Sequence, residues 1–345
     1  MKAGETREYA RAGVDLDTAE ATKARISELV AGTRTRHSVG MVGAFGGMVR
    51  IPSGLRNPTL VLSTDGVGTK VLVALQAKRY DTVGEDLVNH SVNDILVHGA
   101  TPLAFMDYIA GAALEVEHIS GIVEGIARGC RAHGMALAGG ETAQMPGLYQ
   151  PGTYDLAGTI VGVVEEERAL HGTAIVPGDV LLGYASTGLH TNGYTLARRV
   201  IFERMGLGVG DRLEGTNGSV ADVLLAVHRS YYRAVLPVLN RMHGLAHITG
   251  GGIGGNLVRI LPQDCMATVD PGTWDLPPLF RLLQQAGQIS TQEMREVFNL
   301  GVGLVAVLPP DAVAAAQAAA TEDGVTSWVM GDIQRGARTV RFARP

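Results

Sequence analysis

The stretch Thr59–Lys70, which reads Thr-Leu-Val-Leu-Ser-Thr-Asp-Gly-Val-Gly-Thr-Lys, decides the fold because an apolar run leads directly into a glycine-rich turn. Residues Thr59–Thr64 are rich in β-branched and aliphatic side chains, which predicts a strand. The glycines that follow leave backbone N–H groups open to an anion, and neighbouring hydroxyls and Lys70 add further donors. The stretch therefore predicts an α/β protein with an anion-binding turn at the carboxyl end of a strand.

Asp65 stands at the start of this turn, where a carboxylate would repel a phosphate. A cation between the two groups removes the conflict, and Mg²⁺ is the usual one in such sites. The glycine spacing is neither that of a Walker loop nor that of a dinucleotide-binding fingerprint. The alternative is an ordinary turn aspartate next to a solvated Lys70.

A helix is predicted downstream over Gly84–His98, and Gly99 and Pro102 are placed to end it. Its apolar residues recur at helical spacing and form one stripe: Leu87, Val88, Val92, Ile95 and Leu96. Its polar residues cluster on the opposite face: Asp86, His90, Asn93 and Asp94. Asp94 is the second candidate magnesium ligand, and the alternative is a polar face that simply meets water.

Further strands are predicted over Leu103–Ala110, Met135–Ala138 and Tyr154–Val164, with a helix over Glu117–His133. Glu141 follows the second of these strands after two glycines and is the third candidate carboxylate. Magnesium takes hard oxygen ligands and is commonly shared between one or two carboxylates and nucleotide phosphates. Three carboxylates at the ends of strands and helices predict one or two magnesium ions that bridge these side chains and the phosphates of ATP.

A second α/β domain is predicted after Pro177-Gly178-Asp179, so that the chain divides into residues 1–172 and 173–345. The length of 345 residues favours two domains over one. The predicted elements of the second domain follow in chain order: strand Val180–Ala185, helices Tyr194–Met205 and Val220–Leu239, strands Leu245–Ile248 and Val302–Leu308, helix Asp311–Ala320, and strands Ser327–Ile333 and Thr339–Phe342.

Two loops of the second domain are rich in hydroxyls and glycines, namely Ser186–Gly193 and Thr249–Gly252. Such loops at helix N-termini bind anions, although ordinary helix capping explains each of them alone. His190 and His247 lie next to these loops and titrate near neutral pH, which makes them candidates for proton transfer. The alternative is that both histidines are structural.

The first residues predict a helix over Asp17–Val30, followed by the glycine-rich segment Gly40–Gly47 around a single aromatic residue. Each glycine adds ordering entropy and little packing, so a loop is predicted there. Loops of this size often cover a substrate, and the alternative is a simple connector.

Composition excludes several classes of protein. The chain is 46% hydrophobic and 18% charged, with a net charge of −5, 46 glycines and 2 cysteines. The sequence lacks a basic cluster of the kind that predicts nucleic-acid binding, and two cysteines do not make a disulfide framework. The segment Met1–Ala10 is polar and unlike a signal peptide, and no apolar run is long enough for a membrane span. We expect a cytoplasmic protein with neither nucleic acid nor a membrane as partner.

The motifs together resemble the phosphoribosylformylglycinamidine cyclo-ligase family, also called aminoimidazole ribonucleotide synthetases. The resemblance runs from about Tyr9 to about Gly331 and rests on motifs in a fixed order. They are Tyr9–Asp15, Gly43–Gly47, Ser63–Lys70, Val92–Asp94, Gly139–Ala143 with Met145–Gly147, His190–Tyr194, Ala246–Gly252 and Phe298–Gly303.

The resemblance implies a PurM-like fold of two α/β (α+β) domains and a homodimer in which the N-terminal sheets of two chains pair into a barrel. It implies ATP and Mg²⁺ as cofactors and a ribonucleotide as the small-molecule substrate. The reaction closes the imidazole ring of 5-aminoimidazole ribonucleotide from formylglycinamidine ribonucleotide, with release of ADP and phosphate. ATP activates the formyl oxygen, a nitrogen attacks that carbon, and phosphate leaves.

The resemblance also implies roles for single residues. Metal ligands would be Asp65, Asp94 and Glu141. ATP would contact Gly43, Phe45, Gly46, Gly47, Thr64, Gly66, Gly68, Thr69, Lys70 and Asn93. The substrate would contact Ser186, Thr187, Gly188, His190, Asn192, Thr249, Gly250 and Gly251. The catalytic candidates would be His247, His190 and Lys70.

Two positions depart from the family pattern. Ser27 stands where many members have a lysine, and His90 stands where others have a small or apolar residue. Two other functions stay open: an ATP-dependent kinase like thiamine-monophosphate kinase, and a nucleotide-binding scaffold without turnover. The scaffold is disfavoured by four intact residues, Asp65, Lys70, Asp94 and Glu141. The His190–Tyr194 and Ala246–Gly252 motifs favour the cyclo-ligase over the kinase.

Overall fold

The computed structural model describes residues 16–40, 45–113 and 115–343, with side chains from residue 24 onward. Gly43, one of the predicted ATP-binding residues, lies outside the described residues. The elements of the first domain, in chain order, are α1 (Leu16–Ala31), β1 (Ser38–Val39), β2 (Met48–Val49), β3 (Pro58–Gly66), α2 (Lys70–Ala77), α3 (Asp81–Leu96), β4 (Thr101–Gly111), α4 (Val116–Ala132), β5 (Ala136–Gln144) and β6 (Tyr154–Glu165).

The first domain is built on a four-stranded sheet of order β3-β6-β4-β5. The β4–β5 pair is parallel, and the other two pairs are antiparallel. Helices α3 and α4 pack closely because two glycines remove side chains where the backbones meet. A Cβ on Gly84 would lie 2.0 Å from Ile122 O, and a Cβ on Gly125 would lie 1.9 Å from Asp81 O. Larger residues at either position would force these helices apart.

The other face of this sheet is exposed and partly apolar. Leu60 and Leu62 of β3 are 45% and 63% exposed, and Met106 of β4 is 38% exposed. A cluster of exposed apolar side chains on a sheet face is typical of an interaction surface. The barrel pairing of two chains that the resemblance implies would cover this face.

The elements of the second domain, in chain order, are β7 (Val180–Ala185), α5 (Tyr194–Arg198), α6 (Val220–Leu224), α7 (Tyr232–Val235), β8 (Gly244–His247), α8 (Gly252–Leu257), β9 (Cys265–Val269), α9 (Pro278–Gly287), α10 (Thr291–Val297), β10 (Val302–Leu308), α11 (Val313–Glu322), β11 (Ser327–Arg335) and β12 (Thr339–Phe342). The sheet order is β12-β9-β11-β7-β10-β8. Every residue of β10 is buried, so this strand forms the centre of the domain. The predicted two-part α/β architecture is confirmed.

The predicted helix Val220–Leu239 is wrong. The chain forms α6, leaves the helix, and becomes helical again only at Tyr232. The interrupting segment, residues 225–231, gives its backbone groups to polar side chains of α3. His228 N–H donates to Asp86 Oδ1 at 2.6 Å, and Tyr231 N–H donates to Asn93 Oδ1 at 2.9 Å. Hydrogen bonds to a distant helix replace those of a local one.

These contacts also exclude the alternative of a polar face of α3 that simply meets water. Asp86, His90 and Asn93 are not on a solvated face, because their exposures are 0%, 3% and 0%. The helix is buried on both its apolar and its polar side, and the second domain covers the polar one. One apolar cluster continues from Val67 of the first domain to Phe298 of the second. No helix in residues 16–40, 45–113 or 115–343 has the length and apolar character that a membrane crossing needs.

Candidate active site

A cleft of about 500 Å³ lies where β3 and α3 face β8 and the loop after it. It brings together the predicted site residues Asp65, Asp94, His247 and Thr249. The rest of its polar lining is formed by Ser63, His90, His98, His171, Asn256 and Arg259. Two carboxylates and several imidazoles therefore face one space between the two domains, which is the arrangement expected for acid–base and metal chemistry.

Asp94 is held by groups from three elements. Its Oδ1 lies 2.8 Å from His247 Nδ1, and its Oδ2 accepts the Ser63 hydroxyl at 3.0 Å. Burial alone would raise the pKa of Asp94, but the contacts with His247, His90 and Ser63 outweigh it and lower the pKa to about 2. The carboxylate therefore stays ionised at neutral pH, as a metal ligand must.

Asp65 lies at the end of β3, and its side chain is 44% exposed. Its Oδ2 is 2.6 Å from His90 Nε2, while its Oδ1 accepts the Gly66 N–H at 2.7 Å. Burial raises the pKa of Asp65, but His90 and the Gly66 N–H bring it below the ordinary value. Burial lowers the pKa of His90, yet Asp65 and Asp94 raise it above the ordinary value overall. The carboxylates favour positive charge at this point.

His247 is the last residue of β8, and its Nε2 faces His228 Nε2 at 3.1 Å. The imidazoles of His90 and His190 contact His228 as well, at ring centroid distances of 5.1 and 4.0 Å. Burial is the largest cause that lowers the pKa of His247 and of His228. Sequence reasoning missed His228 because it lies in a predicted helix, next to no glycine motif.

The structure corrects the expectation for Lys70. Its side chain is fully buried and pairs with the fully buried Asp86, Nζ to Oδ2, at 2.7 Å. The same ammonium donates to the carbonyl oxygens of His190 at 3.2 Å and Ala226 at 2.8 Å. With these acceptors around it, the Lys70 ammonium links the two domains through hydrogen bonds. It does not face the cleft.

Asn93 is the second ATP candidate that the structure does not place in a cleft. Its Nδ2 donates to Arg229 O at 2.8 Å, and its Oδ1 accepts the Tyr231 N–H. The fully buried amide therefore fixes the segment 225–231, and no part of it is open to a nucleotide.

The loop Ser186–Gly193 is ordered by contacts within itself and with neighbouring segments. Ser186 Oγ donates to Gly188 O at 3.0 Å, and Thr187 Oγ1 donates to Val227 O at 2.6 Å. Buried His190 accepts the Thr187 N–H at its Nε2, and its backbone has a φ of 61°, a conformation in which side chains are uncommon. Burial is the largest cause that lowers the pKa of His190 far below the ordinary value. A neutral imidazole follows.

The substrate candidates are spread over neighbouring surfaces. Ser186, Thr187 and Gly188 line one depression, and Asn192 lines another together with the ATP candidates Gly68 and Thr69. The Thr249–Gly251 turn borders the main cleft, and Gly250 approaches the Asn192 amide, since a Cβ there would lie 3.5 Å from Asn192 Oδ1. Asn256 fixes this turn by donating to Gly250 O at 3.2 Å.

A second cleft, of about 460 Å³, lies at the other edge of the first sheet and holds Phe45, Gly46, Gly47 and Glu141. Within one chain, Glu141 is not brought to Asp65 and Asp94. On successive strands, Asp65 pairs with Gly158, Gly158 with Asp107, and Asp107 with Gly140. The two sites are therefore three strand spacings apart, about 14 Å. This separation corrects the expectation that three carboxylates of one chain meet.

The remaining ATP candidates of β3, Thr64 and Gly66, are two residues apart and so lie on the same face of that strand, opposite to Asp65. Thr64 shares a hydrogen bond with Thr159 at 2.8 Å on the exposed sheet face. Gly66 lies beside Asp65, where a Cβ would approach Leu156 O at 3.0 Å. Asp107, which the sequence left ambiguous, lines the second cleft, and burial raises its pKa to about 7.

Sequence models of one family match both halves of the chain. The model described as "AIR synthase related protein, N-terminal domain" matches residues 46–164, and that described as "AIR synthase related protein, C-terminal domain" matches residues 176–343. The fold and the cleft between its halves therefore define a two-domain protein of the AIR synthase-related class.

Curated relatives narrow this class. The chain is 47% identical over 329 residues to a phosphoribosylformylglycinamidine cyclo-ligase of Sorangium cellulosum (strain So ce56), which covers 94% of each chain. It is 46% identical over 336 residues to one of Thermosynechococcus vestitus (strain NIES-2133 / IAM M-273 / BP-1), which covers 96% of this chain and 98% of the relative. The chain belongs to the phosphoribosylformylglycinamidine cyclo-ligase family, as the sequence motifs predicted.

Solved structures share the fold at low identity. A thiamine-monophosphate kinase from Stenotrophomonas maltophilia K279a aligns with a TM-score of 0.70 at 18% identity, covering 93% of this chain and 95% of that one. The E. coli hydrogenase maturation protein HypE aligns with a TM-score of 0.64 at 16% identity, covering 94% of each chain. At these identities the likeness concerns the fold alone.

Proposed function

We propose that this chain uses ATP to close the imidazole ring of 5-aminoimidazole ribonucleotide from formylglycinamidine ribonucleotide, releasing ADP and phosphate. The observation that carries the proposal is the full-length match at 46–48% identity to cyclo-ligases. Membership of this family makes the chain an ATP-dependent ligase of purine biosynthesis. The cleft of Asp65, Asp94 and His247 supports the same chemistry, because phosphoryl transfer depends on charge stabilisation more than on a protein nucleophile.

We propose Asp65 and Asp94 as ligands of Mg²⁺. The donor set fits, because both side chains offer hard carboxylate oxygens to one cleft and a ligand atom of each lies within 4.8 Å of His90 and of the other. The raised pKa of His90 supports the fit, since it reports that these carboxylates attract positive charge. Bound magnesium would neutralise the phosphates of ATP.

The chain's own residues would position the reactants. His247, which lines the cleft and has its Nδ1 held by Asp94, would take part in proton transfer. The Thr249–Gly251 turn would bind the substrate phosphate through backbone N–H groups. The loop Ser186–Asn192 would contact the ribose, and His190 would keep that loop in place through its bond to Thr187.

A direct assay tests the activity. Purified protein is mixed with Mg·ATP and formylglycinamidine ribonucleotide, and the aminoimidazole product is measured after diazotisation together with ADP. Asp275→Asn is a matched control, because Asp275 is exposed and lies outside both clefts. We expect product from the wild-type protein and from the control, and a severe loss with Asp94→Asn. ATP hydrolysis or binding without product would favour the kinase or the scaffold.

We also propose a homodimer in which Glu141 completes the magnesium site of the partner subunit. Two observations support it: the exposed apolar sheet face at Leu60 and Leu62, and the separation of Glu141 from Asp65 and Asp94 within one chain. If the sheet of a second subunit pairs with this face, the Glu141 carboxylate would serve as a ligand in the partner's magnesium site.

Subunit complementation tests this arrangement. Asp94→Asn and Glu141→Gln chains, each inactive alone, are co-purified as a mixed dimer by two different affinity tags. If Glu141 acts in the partner's site, one of the two sites in the mixed dimer is intact and activity returns to about half of the wild-type value per dimer. If Glu141 acts with its own Asp94, both sites stay broken and activity does not return.

The alternative functions have less support. The likeness to thiamine-monophosphate kinase is at 18% identity, far below the identity to the cyclo-ligases. We propose a cytoplasmic enzyme with the ribonucleotide and Mg·ATP as its small-molecule partners, in keeping with a biosynthetic family and the absence of basic clusters from the sequence.

A further inference from the structure

Three imidazoles meet at the inner wall of the main cleft. His90 comes from α3, His228 from the segment 225–231, and His247 from the end of β8. Their exposures are 3%, 0% and 6%, and one ring nitrogen of each lies within 4.8 Å of the others. Three separate elements are needed to build this cluster, so it is not a by-product of helical spacing.

The outer ring nitrogens of the three histidines have oxygen partners. His247 Nδ1 lies 2.8 Å from Asp94 Oδ1, and His90 Nδ1 lies 2.7 Å from Thr191 Oγ1. His228 Nδ1 lies 3.4 Å from the same Thr191 hydroxyl. Metal-binding histidines almost always have their second nitrogen held in this way, because the partner fixes the ring and the tautomer.

The inner nitrogens are spaced for a common ligand. His228 Nε2 and His247 Nε2 are 3.1 Å apart. Two nitrogens bound at about 2.0–2.1 Å to one tetrahedral cation lie about 3.3 Å from each other. His90 Nε2 is buried and has no partner in hydrogen-bonding geometry, although Asp65 Oδ2 is 2.6 Å away. A cation bound at His90 would take the place of the proton that the Asp65 carboxylate attracts to this ring.

One existing contact competes with a cation at His228. The Asn93 amide nitrogen lies 3.2 Å from His228 Nε2, near the upper limit of a hydrogen bond. The same nitrogen donates to Arg229 O at 2.8 Å. Coordination at His228 would replace the longer contact and leave the shorter one in place. Burial keeps the pKa of His228 well below the ordinary value, so its ring is neutral and ready to bind.

We propose that His90, His228 and His247 form a binding site for a divalent d-block cation of the Zn²⁺ type, with its fourth position open to the cleft. Imidazole nitrogens suit such cations, whereas Mg²⁺ requires the carboxylate oxygens next to them. The cleft would thus contain two kinds of cation site that share a wall. Because His247 is also a candidate for proton transfer, occupancy of the imidazole site would take that residue out of the reaction.

Cobalt binding tests the proposal without any activity measurement. The full-length protein is freed of metal and titrated with CoCl₂ in buffer that contains millimolar Mg²⁺, and visible d–d absorption reports tetrahedral Co²⁺. We expect one Co²⁺ per chain, displaced by ZnCl₂ and not by further Mg²⁺. His228→Ala should weaken binding at least tenfold, whereas His98→Ala, which removes an exposed histidine of the same cleft, should leave it unchanged.

A second variant protects the test against misfolding. His90→Gln keeps a polar side chain that can still bond to Thr191, and it too should weaken Co²⁺ binding at least tenfold while cooperative unfolding is retained. Failure of the wild-type protein to give the tetrahedral spectrum would overturn the proposal. So would Co²⁺ binding that survives both histidine variants and is lost in Asp65→Asn. Ring-closure activity in Mg²⁺ alone is independent of these outcomes, so the proposed function stands or falls separately.

Discussion

The two clefts of the molecule differ in how their functional groups are held. In the cleft of Asp65, Asp94 and His247, buried partners from both domains fix the side chains that matter. In the cleft of Phe45 and Glu141, Phe45 is fully exposed and Glu141 makes no ion pair within the described part of the chain. The side chains of the first site are fixed by contacts within one chain. Those of the second site would be fixed only by a ligand or a partner subunit.

The largest effect should come from the buried charge beside the rigid cleft. We expect Lys70→Ala to lower the free energy of unfolding by about 3–5 kcal/mol, because it leaves Asp86 charged and unpaired in the interior. Urea unfolding measures the loss, and the double variant Lys70→Met with Asp86→Leu should recover most of it. An unchanged stability with a raised KM for ATP would instead return Lys70 to phosphate binding.

A smaller but severe effect on catalysis should follow from Asp94→Asn. The amide keeps the shape of the side chain and removes the negative charge that the proposed magnesium site requires. We expect kcat/KM to fall about 100-fold, or about 2.7 kcal/mol, with a higher Mg²⁺ concentration needed for half-maximal rate. Near wild-type turnover with an unchanged Mg²⁺ dependence would remove Asp94 from the active centre.

The same residue should make stability depend on pH. The folded-state pKa of Asp94 is lowered to about 2 from the ordinary 3.8, so its ionised form favours the folded chain. That contribution, about 2 kcal/mol, is complete above the ordinary pKa and is lost as the pH falls through the folded value. Urea unfolding in metal-free buffer should show a gap between wild type and Asp94→Asn that is full at pH 6 and narrows below pH 4. A constant gap would contradict this interpretation.

The smallest effect on stability should occur in the open cleft. Phe45 is fully exposed, so Phe45→Ala should change the free energy of unfolding by less than about 0.5 kcal/mol. The KM for ATP should nevertheless rise several-fold if the Phe45–Gly47 segment closes over the nucleotide. An unchanged KM would identify this segment as a connector and would weaken the comparison between the two clefts.

Local patterns predicted the strands well. Val180–Ala185, Val302–Leu308 and Thr339–Phe342 begin and end where the sequence analysis put them, because short β-branched runs between turn residues are local signals. Asp65 and His247 were singled out by their glycine-rich surroundings and Asp94 by the polar face of its helix, and the three residues line one cleft. The strand Cys265–Val269 was missed because the sequence on either side of it carries no comparable motif.

The failures share one physical cause. The sequence shows a helix over Val220–Leu239, but Asp86 and Asn93 compete for its backbone from more than 130 residues away. Long-range contacts of the same kind bury Lys70 and hold His228 against His247 behind the cleft. No window of local sequence contains both partners, so neither the broken helix nor the buried lysine could be predicted from periodicity.

The non-helical segment 225–231 has a consequence for how the chain behaves as a whole. Its main chain is bonded to α3, so part of the second domain's backbone is completed by side chains of the first. Separating the halves would remove the carbonyl acceptors of Lys70 at His190 and Ala226 and leave the His228 and Tyr231 amides without their acceptors. Although the two family models match separate halves of the sequence, each half depends on the other for its hydrogen-bond partners. Neither half is therefore expected to be stable alone.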